Sequence, residues 1–543
     1  MKISSFLISV VAFLFHFYEV KSLSILSPLC RRGKLLPFTE GLPTPALRNR
    51  NQLKAATSAS SEVSPEEGGL SKKKRRLSID FISIAAPALI QLAAEPLASL
   101  VDTAYLGRLG PEVLGGAGVA IAAHYSVSKL YNDPLLRTSI SLVASQDGKA
   151  RGSSSSGEDE EEALSIAVSS ALLLACSVGI IQLILYATLS TGIIRGMGVS
   201  PDNAMWYSAL SYLQIRSLGT PAATLWLVIQ GIFRGLGDTR TPLFYSLMFT
   251  ALNIVLDPIF IFTLKWGASG AAAGTALAQY AALVPLLMAL NRRVPIRIWG
   301  QLKRLGSSLK AYLQAGSFVL FRTVAKVWTY SVCARHAALL GSVSSAAYNL
   351  TFQLGFATTQ ICEAVAVAVQ TLLAREMADT SSHPPSIRRK LIQYLISGSI
   401  LLGGSVALIL SLTTFWQRDS ILAGLTTSKE IQNQCRRIFP VVLATQTAKG
   451  LCYPVNGILM GGLDWTYTMT TMWAANLASV GYLQYCSMSS SSLVSLNQIW
   501  IALFIFMTTQ VITGAGRFQS KTGVWKVLKN FNNNNNSDNK LSN

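Results

Sequence analysis

Gln230-Gly231-Ile232-Phe233-Arg234-Gly235-Leu236-Gly237-Asp238 closes one long apolar stretch, and Asn456-Gly457-Ile458-Leu459-Met460-Gly461-Gly462-Leu463-Asp464 closes another. Gly231, Ile232, Gly235 and Asp238 return as Gly457, Ile458, Gly461 and Asp464, each 226 positions on. A second echo pairs Leu109-Gly110 with Leu340-Gly341. Glycines four apart lie on one helix face and let a second helix come close. The fourth apolar stretch thus resembles the tenth, and six stretches repeat. Two six-helix halves facing each other are the architecture of alternating-access transporters.

The rest of the chain agrees. It has 543 residues, 50% hydrophobic and only 13% charged, where an ordinary soluble domain carries about 25% charged. Apolar stretches fall near 80–106, 113–145, 163–189, 205–234, 242–264, 269–290, 311–339, 344–374, 391–414, 437–460, 465–487 and 494–514. The prediction is an all-α polytopic membrane protein with twelve transmembrane helices in two pseudo-symmetric six-helix lobes. The N-lobe occupies 76–291, a basic inter-lobe loop 292–310, and the C-lobe 311–515. The net charge of +20 sits beside the apolar runs rather than in a patch for nucleic acid, so no nucleic-acid partner is expected. With both ends on one side, that side collects 23 Lys/Arg and the other 6, which is the bias of an even number of spans.

The ends read differently. Residues 1–60 hold eight Lys/Arg and two acids among many Ser, Thr, Pro and Ala. Residues 1–75 therefore read as a disordered, transit-peptide-like segment, and a chloroplast membrane is the expected destination. The short apolar run Phe6 to Phe17 keeps a secretory-pathway or plasma-membrane destination as the alternative. Residues 516–543, ending near the Asn532–Asn536 run, read as a disordered tail. The acidic loop at 148–162 reads as a solvated linker. The seven cysteines form no CxxC and the four histidines are isolated, so no disulfide framework, metal site or cofactor is expected.

Ionisable groups in hydrocarbon each ask for a partner. Glu95 and Asp102 are seven apart in span one, and Asn253 and Asp257 four apart in span five, so each pair shares a helix face. Thr275 lies in the Gly/Ala-rich sixth span. Together they form an oxygen-rich pocket for Na⁺ or a proton; a packing network is the bland alternative. Leu483 stands at the echo of Asp257, so this pocket is not repeated. Span seven instead carries Arg322 and Lys326 on one face, and span eight carries Glu363. These are candidates for binding an anionic substrate, with Glu363 holding the cations when empty; pairing of Glu363 with them in a structural role is the alternative. Asp133 and Arg137, at i and i+4 in span two, are expected to neutralise each other. Arg216 and Arg234 bracket span four, with Arg234 and Asp238 expected as gate or loop partners.

The stretch Tyr212-Leu213-Gln214-Ile215-Arg216-Ser217-Leu218-Gly219-Thr220-Pro221-Ala222, followed by Gln230 to Leu243, closely resembles the span-four signature of the MATE (multidrug and toxic compound extrusion) family. In that signature Arg216, Pro221, Gly231, Arg234, Gly235 and Asp238 are the gate and structural positions. Glu95 to Ala104 and Leu252 to Pro258 are similar to the first and fifth spans of the plant DETOXIFICATION branch, which includes plastid-targeted and citrate-exporting members. The resemblance implies secondary active efflux by a protein that is not an enzyme, with a small-molecule substrate, a lipid bilayer and a monomeric state. It also implies a cation site in the N-lobe, where Asp102, Asn253, Asp257 and Thr275 match in type and position. Coupling to H⁺ is favoured over Na⁺. An acid at Glu363 is similar to the citrate-exporting branch, and efflux of small organic anions, of the citrate or aromatic carboxylate class, follows; export of cationic or neutral xenobiotics is the alternative. The chain departs from the branch at Asp133, Arg137 and Asn456.

Overall fold

The computed structural model describes residues 65–529, except 110, 153–156, 198, 297–301, 381, 383, 426–427 and 490–493. The described residues are helical and contain no strand. In the first half, α1 (Pro65–Gly107), α2 (Pro111–Gly152) and α3 (Gly157–Gly196) are long single helices. The fourth span is two helices, α4 (Trp206–Leu218) and α5 (Thr220–Gly235), stepped at Gly219. Pro221 lies in the first turn of α5, where its missing N–H costs nothing. Next come α6 (Arg240–Pro258), which continues through a π-helical turn at Ile259–Thr263, and α7 (Gly267–Arg293).

The second half repeats this as α8 (Leu302–Leu339), α9 (Ser342–Ala378), α10 (Pro385–Trp416), a short α11 (Arg418–Leu425), α12 (Lys429–Gly461), α13 (Trp465–Ser489) and α14 (Leu496–Ser520). Each half has one helix at its centre. The α5 helix is nearly all buried, against α2, α3 and α7; α12 is buried among α9, α10 and α14.

The sequence echo has a physical cause. An added Cβ at Gly231 or Gly235 would stand 3.0 or 2.8 Å from the carbonyl oxygens of Leu136 and Ile140 on α2. At Gly457 and Gly461 it would stand 2.5 and 2.6 Å from those of Ala366 and Gln370 on α9. In both lobes, therefore, the central helix lays its glycine face on the backbone of the helix that borders the other lobe. The helix ends match as well. Gly237 and Leu463 both take positive φ, at 70° and 56°. The next residue's N–H then returns to a helix carbonyl, Asp238 to Phe233 at 2.9 Å and Asp464 to Leu459 at 3.1 Å.

Among the described residues, five helical stretches are long and apolar enough to cross a membrane: Glu161–Gly196, Arg240–Thr263, Gly267–Arg293, Pro385–Trp416 and Leu496–Ser520. They also carry the exposed apolar surface. Ile181, Val255, Leu401 and Ile512 are each more than half exposed, which a bilayer accommodates and water does not. The remaining long helices include α2, α8, α9 and α12, whose charged residues lower their hydropathy; Arg322 of α8 and Lys449 of α12 are buried among them.

The lobes are held together at the basic end. There Arg375 of α9 pairs with Asp147 of α2 at 2.7 Å, and Arg151 adds a second pairing at 3.0 Å. Gly148 lets the backbone of α9 pass close by, its missing Cβ lying 2.5 Å from the Arg375 carbonyl oxygen. One turn deeper, Gln370 donates across the lobes to the Arg137 carbonyl at 3.0 Å and to Ser141 Oγ at 2.7 Å.

Helical structure extends beyond the expected limits of the two lobes. Residues 65–75 belong to α1 and 302–310 to α8. Residues 516–520 complete α14, and the turn Gly523–Leu528 belongs to the C-lobe rather than to a loose tail. Trp525 is fully buried there, its indole N–H donating to Asp464 Oδ2 at 3.0 Å beside the Arg517 pairing at 2.8 Å. The acidic run Glu158–Glu162 opens α3 rather than forming a linker, as suits carboxylates at a helix N-terminus. The transit-like residues 1–64 and the Asn run lie outside the described residues.

Candidate functional site

Two polar centres lie inside the helices. The first belongs to the N-lobe. Asn253, one turn before Asp257 on α6, spends both amide hydrogens on carboxylates: Asp102 Oδ1 of α1 at 2.9 Å and Asp257 Oδ2 at 3.0 Å. Asp257 is fully buried and Asn253 nearly so. Two oxygens there, Asn253 Oδ1 and Asp257 Oδ1, are buried with no hydrogen-bond partner. The cluster is thus an acceptor set short of a positive charge, which suits a cation or proton. It is also tight. A Cβ at Gly274 of α7 would stand 2.5 Å from Asp257 Oδ1.

The sequence-predicted members divide. Asp102, Asn253 and Asp257 meet. The Thr275 hydroxyl turns back to the Ala271 carbonyl at 2.9 Å, satisfying its own helix instead. The Glu95 side chain lies outside the described residues. Arg216 donates to Gln279 Oε1 at 3.0 Å across the step at Gly219. His124 lies nearby, stacked on Tyr186 at 5.1 Å. Arg234 donates to Gln91 Oε1 at 3.0 Å. Asp238 starts α6 by accepting from the N–H groups of Arg240 and Thr241 at 3.1 and 3.0 Å.

The second centre is a small cavity of about 20 Å³ lined by Arg137 of α2, Arg322 and Lys326 of α8, Glu363 of α9, and Cys452, Tyr453 and Asn456 of α12. Arg137 grips Asp133 through Nε at 3.1 Å and Glu363 through Nη2 at 3.2 Å. The i, i+4 pairing expected from the sequence is present, and the pairing with Glu363 adds a tie between the lobes. Glu363 is therefore held by Arg137, not by Arg322 or Lys326. Among the described residues those two cations have no ion pair. Arg322 is 4% exposed, and its Nε has no partner. Lys326 lies over the Tyr453 ring at 5.9 Å. At the back of the cavity Asn456 donates to Gln510 Oε1 at 3.0 Å.

Arg322, Lys326 and Glu363 thus share one cavity. The central place of Arg137 was not legible, because its second partner lies 226 residues away with no motif to join them.

Two related helical halves in a membrane, with ionisable groups buried inside and between them, define a transporter of small molecules. Known proteins bear this out. The family model described as MatE matches residues 87–259. Protein DETOXIFICATION 44, chloroplastic, of Arabidopsis thaliana is 31% identical over 454 residues, covering 83% of this chain and 84% of that protein. The Vibrio cholerae MATE transporter VcmN in its bent form superposes with a TM-score of 0.71 at 17% identity, over 84% of this chain and 98% of that one. A Pyrococcus furiosus transporter of the MOP superfamily, described as having a reverse polarity of binding pocket, superposes with a TM-score of 0.69 at 19% identity, over 83% and 96%. The chain belongs to the MATE family. It is an integral multi-pass transporter of the efflux or antiport type, and not an enzyme.

The two kinds of cation in the cavity should behave oppositely. Arg137→Gln leaves two half-buried acids unpaired and is expected to destabilise the protein by about 3–5 kcal/mol. Arg322→Gln removes an unpartnered buried charge and is expected to leave stability unchanged or raise it. Thermal unfolding of the purified variants in detergent measures both. Equal loss in both would contradict the pairing described.

Proposed function

We propose that this transporter exchanges protons for small organic anions of the citrate or aromatic carboxylate class. One observation carries the reading: both acids near the central cavity are spent on Arg137, while Arg322 and Lys326 face the same cavity without an ion pair. A cavity with surplus positive charge attracts carboxylates, and the arginine fork can bind one through two hydrogen bonds. The reverse-polarity pocket named for the Pyrococcus furiosus transporter is in keeping with this chemistry.

The N-lobe cluster supplies the coupling. Its two unpartnered oxygens can accept a cation, and the close approach of Gly274 leaves little room for the many oxygens a metal ion gathers. A proton fits. Its arrival on Asp257 removes one of two negative charges that share the Asn253 amide. It thereby changes how α1 and α6 pair and which way the lobes face. A one-unit pH gradient supplies about 1.4 kcal/mol per proton, enough for about tenfold accumulation with one proton exchanged.

The site of action we infer is a chloroplast membrane. The transit-like composition of residues 1–60 and the name of the chloroplastic Arabidopsis relative support it. A fluorescent protein fused behind residues 1–64 should follow chlorophyll fluorescence; delivery to the secretory pathway would contradict this.

Transport is tested in proteoliposomes under an imposed pH gradient, with labelled citrate and labelled tetraethylammonium side by side. Citrate flux should fall about tenfold or more when the gradient is collapsed. Asp257→Asn should remove the pH dependence, and Arg322→Gln should abolish citrate flux. Tetraethylammonium flux without citrate flux, or unchanged pH dependence in Asp257→Asn, would overturn the reading.

A further inference from the structure

A third unpaired cation stands deeper in the C-lobe. Lys449 of α12 is 4% exposed. Among the described residues no hydrogen bond or ion pair reaches its ammonium group; its one aromatic contact is the Phe352 ring at 5.8 Å. Twelve residues, or about 18 Å, separate it from the nearer end of α12, too far for a lysine to snorkel to water. An ammonium buried without a counter-charge is costly, and packing does not require one there.

Gln446 stands three residues earlier on the same helix. It is 3% exposed, and neither its amide nitrogen nor its amide oxygen has a partner. Its amide occupies the space left by the missing side chain of Gly355 on α9. An ammonium and a free amide donor, one turn apart and both buried, are what a carboxylate needs.

The position adjoins the central cavity along α12: Cys452, three residues on from Lys449, is part of the cavity lining. Arg322 and Lys326 belong to the same lining. Lys449 is one helical turn, about 6 Å, along α12 from Tyr453, over whose ring Lys326 lies. Met472, Phe506 and Met507 form an apolar wall beside this stretch.

We propose that Lys449 and Gln446 form a second anion subsite, which takes the distal carboxylate of a short di- or tricarboxylate whose first carboxylate lies at Arg322 and Lys326. The inference rests on the anion reading above and sharpens it: the preferred substrate carries at least two carboxylates, with its carbon skeleton against the apolar wall. A monocarboxylate uses only the Arg322 end.

The test compares labelled citrate and labelled benzoate flux in proteoliposomes of the full chain. In Lys449→Gln the ratio of citrate to benzoate flux should fall about tenfold or more, mainly through a raised KM for citrate. Gln446→Leu should shift the ratio the same way by a smaller factor. Lys449→Arg should restore most of it. Arg322→Gln should lower both fluxes together. An unchanged ratio in Lys449→Gln, or equal loss of both fluxes there, would overturn the subsite while leaving the anion reading standing. A wild-type protein that carries neither carboxylate would overturn the anion reading itself.

Discussion

A charge in hydrocarbon costs several kcal/mol unless it finds a partner, and Arg137 meets that constraint for Asp133 and Glu363 at once. It sits on α2 of one lobe and reaches α9 of the other. Because it engages both acids, the positive charges of Arg322, Lys326 and Lys449 are left over. The cavity's polarity thus follows from a pairing that also ties the lobes together. On the proposed reading a substrate anion at Arg322 would lie beside the Arg137–Glu363 tie, so that binding and lobe contact would share one charge balance. This gives a substrate the differential interaction with two states that a conformational change requires.

The glycine faces make such a change a movement of rigid bodies. Gly231 and Gly235 hold α5 on α2, and Gly457 and Gly461 hold α12 on α9, with backbone against backbone. Each lobe's border helix is fixed to its own centre. What lies between the lobes near the basic end is polar and exchangeable: Asp147 with Arg375, and Gln370 with Ser141. Packing of this kind resists internal deformation, while a few hydrogen bonds and one ion-pair network can break and re-form.

Much of this was legible in the sequence, for identifiable reasons. Glycine spacing exposed the repeat, since close helix approach tolerates few other residues. The spacing of Asn253 and Asp257 placed both on one face of α6, and their contact with Asp102 followed from the small residues around them. Other features needed the fold. Nothing in the chain says that Glu363 pairs with Arg137 rather than with Arg322, because partners across lobes leave no spacing signal. Thr275 looks like a ligand by type, yet its hydroxyl prefers its own helix carbonyl, a common choice in helices. The structured turn at Gly523–Leu528 was hidden by its polar neighbours; only the burial of Trp525 on Asp464 reveals it. Lys449 carries the same signal as the other intramembrane charges, standing inside the apolar stretch 437–460, but only the fold shows that no acid among the described residues lies beside it.

The central claim is that the cavity is built for negative charge. Equilibrium binding to the purified protein in detergent tests it without any transport step. Labelled citrate should bind saturably, be displaced by other di- and tricarboxylates, ignore tetraethylammonium, and be lost in the Arg322→Gln, Lys326→Gln double variant. Displacement by tetraethylammonium, or citrate binding undiminished in that variant, would contradict the account.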